Sequence, residues 1–147
     1  MKTRVRDLLK EKGIEVLTTP PDVTVFDTIE KMVDRNVGSI VVMEGARLVG
    51  IFTERDYLRR IVLQGRSSKT TELSEVMTKN VITVEYDATV DQCMTIMTEK
   101  KLRHLPVVED GALCGIISIG DCVRHLSKEA QAEVEDLKNY ISGQYPA

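Results

Sequence analysis

The chain of 147 residues has the length of one ordinary domain, and a hydrophobic fraction of 42% is enough to bury a core without staples. A formal net charge of −3, with Lys and Arg interspersed among Asp and Glu, excludes the basic field that draws proteins to nucleic acid or to an anionic membrane. Three cysteines, Cys93, Cys114 and Cys122, match neither a redox pair nor a zinc half-site, and read as buried thiols in a reducing, cytoplasmic setting.

In chain order, the first segment, MKTRVRDLLKEKG, carries charges through its apolar positions and lacks the apolar centre of a signal peptide; residues 1–15 are predicted to hold a helix. No apolar run approaches the ~20 residues needed to cross a bilayer. From Val16 onward the chain repeats itself. A shift of 65 positions lays VLTTPPDVTVFDTIEKMVDRNVGSIVVMEGARLVGIFTERDYLRRI over VITVEYDATVDQCMTIMTEKKLRHLPVVEDGALCGIISIGDCVRHL without a gap. Identities include Thr18/Thr83, Thr24/Thr89, Met32/Met97, Gly50/Gly115, Ile51/Ile116, Asp56/Asp121 and Arg59/Arg124, well above the two or three matches that average usage allows by chance.

Each copy is predicted to form the same string, β-α-β-β-α. A short extended piece (LTT; ITV) leads to a turn, and Thr24 or Thr89 caps a helix with its apolar face at Val25, Ile29, Met32 and Val33, or at Val90, Met94 and Met97. Two apolar runs joined by EGAR or EDGA read as a hairpin, and the residues after GIFT or GIIS return to helical spacing. The expected fold is α/β (α+β): two such repeats, residues 16–63 and 78–126, packed sheet to sheet about a pseudo-two-fold axis around a single core, with two equivalent clefts. Residues 64–77 read as a connector in which Ser74 starts a short helical turn. Residues 127–147 read as a separate helix capped by Ser127, with Ala130, Val134, Leu137 and Ile141 on one face and a stop at Gly143.

The repeated turn GI(F/I)(T/S)xxD ends a strand with a hydroxyl and opens a helix with a carboxylate three residues later. Free backbone N–H groups and the positive end of a helix dipole favour a phosphate there, and an aspartate can accept hydrogen bonds from the vicinal hydroxyls of a ribose. Either turn alone is explained by capping. The recurrence of one hydroxyl–carboxylate spacing favours a mononucleotide site, on the premise that capping needs no fixed spacing. A hydrolytic triad of Ser118, His104 and Asp121 is disfavoured, because Ser118 lacks the glycine pattern of a nucleophile elbow and lies with Asp121 on one turn. His125 reads as a cation at the end of a helix.

The duplicated unit with its paired G-h-x-(T/S)-x-x-D turns and the segment RHLPVVEDG resembles a tandem cystathionine-β-synthase (CBS) domain pair, or Bateman module, of the stand-alone kind. That resemblance implies a regulatory, non-catalytic module whose clefts take adenosine-containing ligands such as AMP, ATP, NAD or S-adenosylmethionine. Carried over by position, Asp56 and Asp121 hold ribose hydroxyls, and Thr53 and Ser118 contact ribose or phosphate. Ile51 and Ile116, with the backbone around Leu17, Thr18, Ile82 and Thr83, border the adenine and its sugar. The strand entries are Gly38 and Ser39 in one copy, Arg103, His104 and Pro106 in the other. Arg103 and His104 make the second cleft the expected better phosphate binder, and Arg55 is in position to reach a phosphate from the first. The resemblance also implies a homodimer and a regulated partner enzyme or thioredoxin-like protein. The competing expectation is a ligand-independent dimeric adaptor.

Overall fold

A computed structural model describes residues 2–142 and shows the predicted string twice. Helix α1 (Val5–Lys12) precedes the first copy, which comprises β1 (Thr18–Thr19), α2 (Val25–Arg35), β2 (Ser39–Glu44), β3 (Arg47–Thr53) and α3 (Glu54–Tyr57), the last running into a π-helical turn at Leu58–Val62. A 3-10 turn at Leu73–Glu75 leads to β4 (Val84–Glu85), α4 (Val90–Lys100), β5 (His104–Glu109), β6 (Ala112–Ser118) and α5 (Ile119–Ser142).

Each copy folds a three-stranded sheet, β1-β2-β3 or β4-β5-β6, in which the short first strand is parallel to the second and the hairpin is antiparallel. The registers are equivalent: Ser39 opposes Thr53 and Val41 opposes Ile51, as His104 opposes Ser118 and Pro106 opposes Ile116. The hairpins turn tightly at Gly45 (φ 62°) and at Asp110–Gly111 (φ 52° and 81°). Thr24 and Thr89 cap α2 and α4 as predicted, their hydroxyls accepting from the Asp27 and Gln92 N–H groups at 3.1 Å.

The buried side chains form two clusters, where the sequence led us to expect a single core. One holds Val25, Met32, Ile40, Val42, Phe52 and Ile61 of the first copy together with Leu73, Val76 and Met77; the other holds Val84, Val90, Cys93, Met97, Leu105, Val107 and Ile117 of the second together with Val5, Leu8 and Leu9. The segment preceding each repeat is therefore built into the opposite repeat. Matching bonds define the exchange: Val5 N–H donates to Ala88 O at 2.8 Å, and Leu73 N–H to Val23 O at 2.8 Å. The duplication thus begins before Val16, at Val5 and Leu73. The stretch from Val5 to Val16 is three residues longer than that from Leu73 to Val81, which is why an ungapped shift of 65 misses it.

Gly50 and Gly115 let these segments approach. A Cβ on Gly50 would lie 2.6 Å from Met77 Sδ and 3.1 Å from Thr78 O, and one on Gly115 would lie 2.8 Å from Leu9 Cδ1.

Four local expectations are corrected. Val33 is 71% exposed, since it falls about 80° around the helix from Val25, and Thr28 fills the buried face instead. The connector turn starts at Leu73 behind Glu72, not at Ser74. Ser127 caps nothing, because no Gly or Pro follows Gly120 within α5 and the helix runs straight through it; His125 is accordingly inside a helix, 3.3 Å from Glu129 Oε1. The predicted stop at Gly143 lies outside the described residues.

Candidate functional site

Side chains alternate across a strand, so the faces of both sheets are settled by register. Ile40, Val42 and Phe52 point into one cluster and Leu105, Val107 and Ile117 into the other. The opposite faces carry Ser39, Val41, Ile51 and Thr53 in the first sheet and His104, Pro106, Ile116 and Ser118 in the second, as directly opposed pairs. All the strand-borne candidates from the sequence except Thr18 thus fall in these opposed pairs. Val41, fully buried and outside both clusters, was missed; its equivalence to Pro106 was the available signal. Two candidates lie apart: Thr18 of β1 is exposed, and Thr83, just ahead of β4, lines an open groove with Arg4, Asp87, Asp91 and Gln92.

The two hydroxyl–carboxylate turns are reciprocal capping boxes. Thr53 N–H donates to Asp56 Oδ2 and Asp56 N–H to Thr53 Oγ1, both at 3.1 Å; Ser118 N–H donates to Asp121 Oδ2 at 2.8 Å and Asp121 N–H to Ser118 Oγ at 3.1 Å. This corrects one premise, since a capping box itself requires a hydroxyl and an acceptor three residues apart. The repeated spacing alone does not separate a ligand site from a cap. What the carboxylates do with their remaining lone pairs must do so.

Here the copies differ. Asp56, partly exposed, receives the Thr78 hydroxyl at 3.4 Å, a long bond, and Arg60 Nε stands 4.0 Å away. Asp121, 7% exposed, accepts Lys12 Nζ on Oδ2 at 2.7 Å and the Arg124 guanidinium on Oδ1. Lys12 also donates to Ile116 O at 2.8 Å, the position where the first copy instead pairs Ile51 with the Thr78 backbone. Burial works to raise the Asp121 carboxyl, but hydrogen bonds from Lys12 and from the Ser118 backbone outweigh it and leave it below the usual carboxylate range. Asp121 lines a cavity of about 190 Å³ with Leu8, Glu11, Lys12, Arg124, His125 and Lys128, smaller than the ~300 Å³ at which small-molecule sites begin. Lys12 lies in the extra turn of α1, so the repeat alignment contained no trace of it.

His104 is half-buried at the junction of the copies: a Cβ on Gly38 would lie 3.7 Å from its Cε1 and 3.3 Å from Glu54 Oε1. Burial, helped by the nearby Lys12 and Arg103 charges against those of Glu54 and Asp121, holds its imidazole below the ordinary 6.5, which favours the neutral ring near pH 7. It stands opposite Ser118, closer than the sequence suggested. Asp121, committed to Lys12, Arg124 and Ser118 N–H, does not orient it as a triad requires. Arg55 and Arg103 are exposed at the two turns.

The strand entries differ in one more bond. Val41 N–H donates to Leu17 O at 3.1 Å, whereas Pro106, at the equivalent place, has no N–H to offer Ile82.

Two three-stranded sheets, reciprocal lead segments and paired capping turns define a duplicated regulatory module, and comparison with known proteins agrees. The CBS domain family matches residues 5–63 and 73–128, so the chain belongs to the CBS domain family as a two-domain pair. It is 41% identical over 152 residues to the CBS domain-containing protein CBSX3, mitochondrial, of Arabidopsis thaliana, covering 97% of this chain and 74% of that protein. It also matches the structure of a signal-transduction protein with CBS domains from Burkholderia ambifaria, with TM-score 0.82 and 43% identity over 84% of this chain and 93% of the other. A third structure is the CBS domain pair of protein MJ0100 in complex with 5′-methylthioadenosine and S-adenosyl-L-methionine. Its TM-score is 0.78 at 25% identity, over 88% of this chain and 99% of that one. No helix among the described residues is long and apolar enough to cross a membrane.

Proposed function

We propose that the chain is a non-catalytic regulatory module binding an adenosine-containing ligand such as AMP, ATP or NAD, with the Asp56 cleft as its principal site. The observation that carries this reading is the contrast between the carboxylates: beyond their caps, Asp121 is saturated by Lys12 and Arg124, while Asp56 has the long Thr78 bond and an Arg60 Nε no nearer than 4.0 Å to exchange for ribose hydroxyls. The connector reinforces it. Thr78 lies on Ile51 beside Asp56, and the chain then runs through Ile82 and Thr83, where the proline at position 106 spares the Ile82 carbonyl for the exocyclic amino group of an adenine.

In this cleft Asp56 and Thr53 take the ribose, Val41 and Ile51 border the adenine and its sugar, and Ser39 and Arg55 lie toward the phosphates. The second cleft offers Ser118, Asp121, Ile116, Pro106, Arg103, His104 and the backbone at Thr18. Its phosphate-binding groups are richer, but a ribose there has to displace Lys12, which reverses the ranking that Arg103 and His104 alone suggest. The adenosine ligands of the MJ0100 pair support the ligand class. The cysteines are free thiols, with Cys93 and Cys122 buried, which suits a reducing compartment, cytoplasmic in our reading; the Arabidopsis relative is named as mitochondrial.

A thermal-shift panel of AMP, ATP, NAD and S-adenosylmethionine tests the reading against a ligand-independent adaptor. A ligand present at 100 times its dissociation constant adds about 2.7 kcal/mol and raises the melting temperature by several degrees. No shift with any of the four at millimolar concentration leaves the adaptor.

A further inference from the structure

Beyond its eighth residue α5 is mostly exposed, with Lys128 3.7 Å from Glu11 of α1 and lining the Asp121 cavity. Of residues 127–141 every one is exposed except the half-buried Asn139, and the row includes Val134 at 52%, Leu137 at 58% and Ile141 at 76% exposure. A helix segment of this length with so little buried surface is marginal by itself. Its apolar residues do not scatter. Ser127, Val134 and Ile141 stand seven apart, as do Ala130 and Leu137, and the two rows interleave at spacings of three and four. This is a heptad seam in which Val134 and Ile141 stand at the first core position and Leu137 at the second, the combination that favours two parallel strands, with the small Ser127 and Ala130 at its start.

Charge fixes the orientation. In this heptad Glu133 falls at g and Lys138 at e, and in a parallel in-register pair the g residue of one helix faces the e residue of the next heptad on the other. Glu133 then meets Lys138 of the second copy on both sides of the seam. An antiparallel pairing sets g against g and e against e, bringing Glu133 to Glu133 or Tyr140 and Gln131 to Lys138, with no opposite charges in contact.

We infer that α5 is an interface between two copies of this chain, paired as a parallel, in-register two-stranded coiled coil over residues 127–141. The inference is independent of any nucleotide. It joins two regulatory modules by helices that continue directly from the Asp121 turn.

Cysteine cross-linking tests it. The native thiols are buried or half-buried, so an added exposed thiol reports its own neighbour. Under mild diamide oxidation the Leu137→Cys variant forms a disulfide-linked dimer within minutes, far faster than the Glu135→Cys control, whose position faces away from the seam. Equal or absent cross-linking at the two positions overturns the inference. A charge swap guards against a folding artefact at Leu137. Glu133→Lys weakens the dimer roughly fivefold or more by sedimentation, and Glu133→Lys combined with Lys138→Glu restores it. A single reversal without effect, or a double variant no better than the single, also contradicts a parallel pair.

Discussion

Asp56 and Asp121 stand at the same place in two copies of one turn, both closed by a reciprocal capping box, and still present different chemistry to a ligand. The difference comes from Lys12, outside both turns. Replacing Lys12 by Met keeps the aliphatic stem and removes the ammonium from Asp121, so a second nucleotide should bind to that variant about three- to tenfold more tightly than to the wild type. Calorimetry of the weaker site reads this directly, and unchanged or weaker binding removes Lys12 as a competitor.

His104 adds a pH dependence. Its imidazole is held below 6.5 in the folded chain, so the unfolded chain takes up the proton first as pH falls, and stability present above pH 6.5 is progressively lost below it. Asp121, also held down, contributes a further loss in the same direction only below the carboxylate value of 3.8. Urea midpoints between pH 8 and 5 should therefore decline for the wild type and less for a His104→Gln variant. Parallel curves would show that another group is responsible.

At the scale of elements, the strings, hairpins and helix caps were legible because period and punctuation are local properties. Thr24 and Thr89 announced their helices, and register alone places Ser39 against Thr53 and His104 against Ser118. What could not be read depends on contacts distant in sequence. Val33 continued an apolar pattern but fell beyond the buried arc, and Ser127 resembled a cap although the helix had no reason to stop. Gly50 and Gly115, which open GIFTERD and GIISIGD, each make room for a lead segment. Gly50→Ala forces its methyl against the Met77 sulfur and the Thr78 carbonyl, and should cost about 1–3 kcal/mol of stability in urea unfolding. Gly45→Ala, at a left-handed turn with open space around it, separates backbone strain from this packing clash.

For the whole molecule, the exchange of lead segments decides how the repeats cooperate. α1 is the entry to the first repeat but completes the second, and the Leu73–Met77 segment does the reverse, so neither cluster is complete within its own repeat. Leu9→Ala and Leu73→Ala should each cost about 2–5 kcal/mol and move one cooperative transition, not two. Separate melting of the repeats in either variant would contradict an interlocked domain. The exchange also links function to architecture: the lead segments carry Lys12 to Asp121 and Thr78 to Asp56, so each cleft is built from both repeats.

Isothermal titration of AMP into the wild-type protein, beside Asp56→Ala and Asp121→Ala, tests the central assignment most directly. The account predicts one principal site per chain that Asp56→Ala abolishes, or weakens at least tenfold, and that Asp121→Ala leaves within a few-fold. Binding that survives Asp56→Ala and disappears with Asp121→Ala would contradict it.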